Sequence, residues 1–320
     1  MLDVMNKIEA IGIVPVIAIN DVDKAVPLAR ALVAGGLPVA EVTFRTDAAE
    51  EAIRRISAQV PEMLVGAGTV LTKEQVDRAA AAGAKFMVSP GFNPEITKYA
   101  LDKGIAFAPG TATPGEMEQA MAMGLEVVKF FPAEQNGGIA KLKAVAAPYS
   151  KLRFMPTGGV TAANLYDYLS FNRIIACGGT WMVKADLINS GNFDEITRLT
   201  KEAVNTMLGF TFGHIGINSE SSEEALNAAK FLALAFGFDY KEGNSSIFAG
   251  QRSFELMKNK GRGTHGHIAI LTNTLPRAIA HLKARGFEFD EANAMEKDGK
   301  MVGIYFKNEV LGFGIHLLQK

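Results

Sequence analysis

The sequence predicts an α/β protein: a (β/α)8 TIM barrel followed by an α+β domain of two βαβββ modules. Three observations support this prediction. Over residues 1–208, eight short apolar runs alternate with helical patterns. After residue 208 the composition changes, and all five histidines of the chain occur there. In that second part a short motif repeats, because Gly213-His214-Ile215 returns as Gly266-His267-Ile268. We therefore predict two domains, residues 1–208 and 209–320.

The eight apolar runs are the predicted barrel strands. They start roughly 20 to 26 residues apart, which leaves room for one strand, one helix and two short loops. Most are rich in β-branched residues and nearly continuous in apolar character, as expected of strands buried on both faces. Helix starts are marked at Thr72 and Thr113, which begin capping-box patterns. The predicted strands are Ile13–Ile19, Val39–Arg45, Leu64–Val70, Phe86–Gly91, Ala106–Thr111, Val127–Ala133, Arg153–Val160 and Ile174–Trp181.

Composition and charge exclude several classes of protein. The 320 residues carry a net charge of −1 with no basic run, so neither nucleic acid nor an anionic membrane is an expected partner. A single cysteine, Cys177, allows no intrachain disulfide and suits a reducing compartment. We find no signal peptide at the start and no apolar stretch of about 20 residues. The expectation is a soluble, cytoplasmic protein.

Lys129 stands in the middle of an apolar strand pattern. An apolar environment disfavours the charged form of an amine, and a neutral amine can form a Schiff base with a ketone. Alternatively, the stem of Lys129 packs in the strand while its head reaches solvent. Strand alternation places Glu41, Thr43 and Arg45 on one face of the second strand. Catalytic groups of such barrels lie at the carboxyl ends of the strands, although Glu41 and Arg45 could instead form a buried structural ion pair.

Paired glycines close the seventh and eighth predicted strands, at Gly158-Gly159 and Gly178-Gly179. Glycine lets backbone N–H groups approach an anion closely, and a phosphate site after these two strands recurs in this type of barrel. Either pair alone could be only a tight turn. Two pairs at these two positions favour a phosphate site.

Taken together, these motifs resemble the 2-keto-3-deoxy-6-phosphogluconate aldolase family, which also acts on 4-hydroxy-2-oxoglutarate. The resemblance spans residues 1 to about 208. Two residues depart from the common family pattern, since Phe44 replaces a leucine and Thr180 replaces a serine. The matching stretches are Glu41-Val42-Thr43-Phe44-Arg45-Thr46, Val65-Gly66-Ala67-Gly68-Thr69-Val70, Ser89-Pro90-Gly91, Lys129-Phe130-Phe131-Pro132-Ala133-Glu134, Pro156-Thr157-Gly158-Gly159 and Gly178-Gly179-Thr180-Trp181.

The resemblance implies roles for these residues. Lys129 would form the Schiff base with the keto carbon, and Glu41 would move protons as general acid and base. Arg45 and Thr69 would hold the pyruvate carboxylate. The residues implied to bind the distal phosphate are Gly158, Gly159, Gly179 and Thr180. We also expect Pro90, Phe131, Thr157 and Gly178 to contact the substrate.

The family also implies the wider properties of the enzyme. The expected partner is a small-molecule substrate, no cofactor is required, and the expected assembly is a homotrimer. Two alternatives stay open. The substrate could be 4-hydroxy-2-oxoglutarate, cleaved to pyruvate and glyoxylate, or the barrel could bind phosphate without catalysing a reaction.

The second part of the chain resembles the vicinal-oxygen-chelate family, which includes glyoxalase I. Each Gly-His strand precedes an amphipathic helix, and strand alternation separates the polar side chains from their apolar neighbours. The resemblance implies that His214, Glu255, His267 and His316 hold a divalent Zn, Fe, Mn or Ni ion. His316 departs from the family, whose last ligand is usually glutamate.

A purely structural role for these histidines stays open, because lone strand histidines are usually hydrogen-bonded packing residues. The domain could be a second, metal-dependent enzyme, or an accessory module that joins aldolase trimers into larger assemblies. We expect His265 to lie behind the ligands and His281 to lie on the surface, whereas Cys177 and Trp181 are predicted to be packing residues.

Overall fold

The computed structural model describes residues 2–320, which divide into two compact units between Met207 and Leu208. Each unit is described by itself below. Within the described residues, no helix combines the length and the apolar character that a bilayer span requires.

The first unit alternates strands and helices along the chain. Its strands are β1 (Ile13–Ile17), β2 (Val39–Thr43), β3 (Leu64–Gly68), β4 (Phe86–Val88), β5 (Ala106–Ala108), β6 (Gly110–Thr111), β7 (Val127–Phe130), β8 (Arg153–Pro156) and β9 (Cys177–Gly179). Its helices are α1 (Leu2–Ile11), α2 (Ala25–Gly35), α3 (Ala49–Gln59), α4 (Lys73–Ala81), α5 (Pro94–Asp102), α6 (Pro114–Ala122), α7 (Gly138–Ala146), α8 (Leu165–Leu169), α9 (Ala185–Ser190) and α10 (Phe193–Leu208).

The strands of the first unit form a curled, parallel α/β arrangement. Six strands pair in the order β5-β4-β3-β2-β1-β9, and β6, β7 and β8 form a second run. The predicted fifth strand is divided at Pro109, so that β5 pairs with β4 while β6 pairs with β7. Proline has no N–H to donate to a ladder, but its carbonyl still accepts from Lys129 N at 2.9 Å. A single bridge between Thr157 and Gly178 links the end of β8 to β9.

Most of the predicted strands extend further than the observed ones. β2 stops at Thr43, β3 at Gly68 and β4 at Val88, so the polar residues that follow lie in turns. The capped helix starts are observed, because the hydroxyls of Thr72 and Thr113 accept from backbone N–H groups of α4 and α6. The first seven predicted strands begin at the observed residue but most extend too far, whereas the eighth, predicted from Ile174, begins at Cys177.

Helix α1 was not predicted. Its Met5 and Ile8 are buried and pack in one cluster with strand residues such as Val14 and Val39. Val4, Ile8 and Ile11 recur at helical spacing, so a signal for this helix was present in the sequence.

The second unit runs strand, helix and three strands, twice, as the repeat predicts. Its strands form one mixed sheet in the order β11-β12-β13-β10-β14-β17-β16-β15, with β10 and β14 antiparallel at its centre. The elements are β10 (Thr211–Ile217), α11 (Ser222–Phe236), β11 (Tyr240–Glu242), β12 (Ser246–Ala249), β13 (Phe254–Met257), β14 (Gly266–Thr272), α12 (Leu275–Ala284), β15 (Met295–Lys297), β16 (Lys300–Val310) and β17 (Phe313–Gln319).

Alternation divides this sheet into an apolar face and a polar face. Ile247 and Leu256 pack against Ala225 and Ala229 of α11, so their neighbours on β12 and β13 face the other way. The prediction that His281 lies on the surface was wrong. Its side chain is buried on α12, because it shares the apolar stripe of that helix with Ala278 and Leu282.

Candidate functional site

The central contact of the first unit joins Lys129 on β7 to Glu41 on β2. The Lys129 Nζ lies 2.9 Å from Glu41 Oε1 and 3.0 Å from Oε2. The two residues are only 4% and 1% exposed, so both charged groups are removed from water. A buried amine beside a carboxylate that can take its proton is the arrangement expected of a Schiff-base nucleophile and its base.

Space for the Glu41 carboxylate is provided by Gly68 at the end of β3. A Cβ on Gly68 would lie 2.2 Å from Glu41 Oε1, which no real contact allows. The phenyl ring of Phe131 lies on another side of the lysine, with its centroid 5.6 Å from Nζ. The pair is therefore held among strand ends with little freedom to move.

Arg45 does not lie on β2 as predicted, but in the turn that follows it. The turn is held by hydroxyls, since Thr43 Oγ1 donates to the carbonyl of Ile17 at 2.9 Å and Thr46 Oγ1 donates to that of Ile19. Arg45 Nε donates to the same Thr43 Oγ1 at 3.3 Å. Glu41 and Thr43 lie two residues apart on β2 and so share a face of that strand, whereas the orientation of the Arg45 side chain is set by this hydrogen bond. Thr43 was not among the predicted site residues.

Three further predicted substrate residues lie in turns at strand ends. Thr69 follows β3 with φ of 57°, a conformation uncommon for a residue with a side chain. The carbonyl of Pro90 comes so close to Gly110 that a Cβ there would lie 2.1 Å away. The hydroxyl of Thr157, after β8, is buried and finds no hydrogen-bond partner within residues 2–320. An unsatisfied buried hydroxyl is costly, so it is a candidate contact for a bound polar molecule.

The predicted phosphate residues lie in the turn after β8 and at the end of β9. Gly158 and Gly159 adopt φ of 95° and 81°, and Gly178 and Gly179 end the chain segment of β9, with Thr180 next. The side chain of Glu134 packs beneath Gly159, and its carboxylate accepts from the hydroxyl of Tyr168. Burial, and then this carboxylate, raise the pKa of Tyr168. This Glu134–Tyr168 contact was not predicted.

A second cluster lies on the polar face of the second unit. Atoms of three residues meet there: His214 Nε2 is 3.0 Å from Glu255 Oε2, and His267 Nε2 is 3.1 Å from both. One ring nitrogen of His316 joins the two other imidazoles, with all three within 4.8 Å of one another. The structure thus brings together the three histidines predicted as metal ligands, and the fourth predicted ligand, Glu255, contacts two of them.

Neighbouring side chains orient this cluster. Ser246 Oγ donates to Glu255 Oε1 at 2.7 Å, and the Tyr305 ring stacks on His316 with centroids 4.6 Å apart. Burial raises the pKa of Glu255, but hydrogen bonds from His214, His267 and Ser246 outweigh burial and hold that pKa well below its usual range. Ser246 and Tyr305 were not predicted, although alternation along β12 and β16 places them on the polar face.

The cluster also contains unsatisfied nitrogens. His267 Nδ1 and both ring nitrogens of His316 are buried and have no hydrogen-bond partner among the described residues. Burial, and then the charges of His267 and His214, lower the pKa of His316 to about 3. The free nitrogens of His316, and contacts of about 3 Å among His214, His267 and Glu255, fit a single divalent ion with bonds of about 2.1 Å. His265 lies outside this group, and its ring packs against Phe313.

Comparison with known proteins concerns the first unit. The model of the family described as KDPG and KHG aldolase matches residues 4–199. A 2-dehydro-3-deoxy-phosphogluconate aldolase of Treponema pallidum (strain Nichols) is 47% identical over 204 residues, which are 64% of this chain and 97% of the relative. The KHG/KDPG aldolase of Escherichia coli (strain K12) is 48% identical over 192 residues, 60% of this chain and 90% of the relative.

Solved structures agree with these relatives. The 2-keto-3-deoxy-6-phosphogluconate aldolase of Zymomonas mobilis ZM4, solved with 3-phosphoglycerate, is similar at 41% identity and a TM-score of 0.59, covering 62% of this chain and 94% of its own. The KDPG aldolase of Legionella pneumophila was captured with pyruvate as a covalent carbinolamine intermediate. It is 38% identical with a TM-score of 0.61, covering 62% and 97% of the two chains.

Proposed function

The chain belongs to the KDPG and KHG aldolase family and is a carbon–carbon lyase, and from this we propose that it cleaves 2-keto-3-deoxy-6-phosphogluconate to pyruvate and glyceraldehyde 3-phosphate. The observation that carries the proposal is the buried contact between Lys129 Nζ and the Glu41 carboxylate. Family membership sets aside the alternative of a phosphate-binding barrel without catalysis.

The reaction follows from this contact. Glu41 takes a proton from Lys129, and the free amine attacks the C2 ketone to give a carbinolamine. Glu41 returns that proton to the carbinolamine hydroxyl, which leaves as water, so that a protonated imine forms and Glu41 is again a carboxylate. Glu41 next removes the proton of the C4 hydroxyl, the C3–C4 bond breaks with release of glyceraldehyde 3-phosphate, and the electron pair of that bond moves through C2 to the imine nitrogen, forming an enamine. Protonation of the enamine at C3 and addition of water release pyruvate and restore the lysine.

Substrate selection is proposed to involve both ends of the molecule. Arg45 and Thr69 would hold the carboxylate next to the keto group, with the fork of the guanidinium matching the carboxylate oxygens. Gly158, Gly159 and the residues Gly178–Thr180 would receive the distal phosphate through backbone N–H groups. The unpartnered hydroxyl of Thr157 supports a polar contact with the part of the substrate between its carboxylate and its phosphate.

Reductive trapping tests the lysine assignment. Borohydride added with pyruvate should attach the reduced adduct to Lys129, visible as a mass increase on the peptide that contains this residue. The Lys129→Met variant should show no adduct under the same conditions. Wild-type protein of unchanged mass would contradict the proposal.

A comparison of two substrates tests the phosphate site. We expect a higher kcat/KM for the phosphorylated six-carbon substrate than for 4-hydroxy-2-oxoglutarate, because only the former can use the glycine turns. Equal or reversed values would mean that these glycines are structural; reversed values would also make 4-hydroxy-2-oxoglutarate the better substrate.

For residues 209–320 we propose a glyoxalase-like vicinal-oxygen-chelate domain that holds one divalent metal ion. Support comes from the convergence of His214, His267 and Glu255, together with the two unpartnered nitrogens of His316. Zn, Fe, Mn or Ni would suit this donor set, and the ion would supply Lewis acidity to a bound oxygen ligand. Elemental analysis of protein purified without chelator should find about one metal per chain, whereas none would contradict the site.

We also propose the larger architecture. The bridge between β8 and β9 supports closure of the first unit into a (β/α)8 barrel. The expected assembly is a homotrimer, and the second unit could join trimers into larger particles. Native mass spectrometry should report three chains per particle or a multiple of three; any other stoichiometry would contradict this proposal.

A further inference from the structure

We infer that the polar face of the second unit takes a small organic anion and that Arg252 recognises its negative charge. The inference deepens the proposed metal function and rests on it. It concerns the class of ligand, which neither the family resemblance nor the histidine cluster specifies.

The first argument is the charge of the cluster. Among residues 2–320, Glu255 is the only carboxylate for which the structure shows a contact with an imidazole of the cluster, namely those of His214 and His267. A divalent ion with one carboxylate and neutral imidazoles keeps one positive charge uncompensated. A site of this composition, in partly buried surroundings, favours an anionic ligand over a neutral one.

The second argument is the position of Arg252. Its guanidinium lies 4.4 Å from the centroid of the Phe248 ring. The centroid of that ring lies 5.8 Å from the centroid of the His214 ring, in an edge-to-face arrangement. Phe248 is paired opposite Glu255, so its side chain is on the same face as the cluster. One aromatic ring therefore contacts both the guanidinium and a proposed metal ligand.

Arg252 is also free to bind. It forms no ion pair within the part of the chain that the structure describes, and it is exposed. Gln251 and Arg252 both adopt positive φ, 54° and 69°, in the turn between β12 and β13. Such conformations are uncommon for residues with side chains and cluster at ligand-binding positions.

A second arginine near the cluster, Arg262, is less able than Arg252 to bind an anion. Arg262 lies 5.1 Å from the Tyr305 ring, which stacks on His316, so each end of the cluster carries an arginine on an aromatic ring. Arg262, however, is paired with Asp290. Its charge is already compensated, and Arg252 keeps the guanidinium fork that can receive an incoming carboxylate or phosphate.

The test uses the full chain with Lys129→Met, so that no Schiff base can form in the first unit. Metal content is measured first on each protein. Calorimetry then follows the binding of three probes: pyruvate, methyl phosphate, and pyruvamide as the neutral analogue of pyruvate. The variants are Arg252→Gln, Arg252→Lys and, as a matched control on an exposed arginine of the same unit, Arg285→Gln.

We expect Arg252→Gln to lower the affinity for at least one of the two anions by about tenfold or more. The metal content and the affinity for pyruvamide should not change. Arg252→Lys should retain part of the affinity, and Arg285→Gln all of it. Whichever of pyruvate and methyl phosphate binds more tightly identifies the ligand as a carboxylate or a phosphate. Equal anion affinity in Arg252→Gln and Arg285→Gln, or no anion binding in the parent, overturns the inference. A protein without metal contradicts the metal proposal separately.

Discussion

The buried pair of Lys129 and Glu41 carries a free-energy cost, and this cost bears on the role of the pair. Removing two charges from water carries a penalty of several kcal/mol per ion, which the mutual attraction and hydrogen bonds must offset. Removing one partner of such a pair typically destabilises a protein by about 3–5 kcal/mol. A pair that exists only for stability could be replaced by apolar residues, so its presence among strand ends fits a catalytic role better than a structural one.

Thr43 is predicted to position Arg45. In Thr43→Val the hydroxyl that links Arg45 Nε to the carbonyl of Ile17 is lost, while the shape of the side chain is kept. A hydrogen bond to a charged group is worth about 1.5–3 kcal/mol, so KM should rise about tenfold or more with a smaller change in kcat. Steady-state kinetics with the phosphorylated substrate measure both constants.

The conservative variant separates positioning from folding. Thr43→Ser restores the hydroxyl and should recover most of the affinity. If Thr43→Val lowers kcat and leaves KM unchanged, or if serine gives no recovery, Thr43 does not act through Arg45.

At the scale of elements, the site depends on how closely neighbouring strands approach one another. Glu41 on β2 pairs with Gly66 on β3, and two residues later Gly68 occupies the space beside its carboxylate. A side chain at that position would push Glu41 away from Lys129. Gly68 is therefore a requirement of the catalytic pair, whereas Gly66 makes room for the ring of Phe86.

Gly68→Ala should consequently lower kcat/KM by about a hundredfold, since displacements near 1 Å have effects of this size. The added Cβ would meet Glu41 Oε1 at 2.2 Å, and the carboxylate must move. Gly115→Ala is the matched control, because a Cβ there meets nothing within 4 Å. Kinetics and thermal unfolding should be measured together; full activity in a folded Gly68→Ala protein would show that Glu41 can be displaced without effect.

At the scale of the whole molecule, the two units place their polar residues in different ways. The first collects side chains from the carboxyl ends of parallel strands, whereas the second uses the polar face of a mixed sheet. In the proposed reaction the Schiff base of Lys129 withdraws electrons without a metal. The chemistry proposed for one unit therefore needs no group from the other.

This separation predicts the behaviour of a double variant. His214→Ala with His267→Ala should remove the metal from the second unit and leave aldolase turnover within about twofold of wild type. Elemental analysis and steady-state kinetics on the same preparation measure both properties. Retained metal would mean that the ligand assignment is wrong, and lost turnover in a folded protein would show coupling between the units.

The sequence alone determined the alternation of strands and helices, the two-part organisation, the strand positions of Lys129 and Glu41, and the shared face of His214, His267 and His316. These features depend on local periodicity and on short motifs, which are written in consecutive residues. Only the tertiary structure showed that β2 ends before Arg45, that Pro109 divides the fifth strand and that His281 is buried. It also showed that Thr43 accepts a hydrogen bond from Arg45 and that Arg252 lies on the Phe248 ring. Strand ends, burial and side-chain contacts are decided by residues distant in the chain, because packing and hydrogen bonding across neighbouring elements override the local pattern.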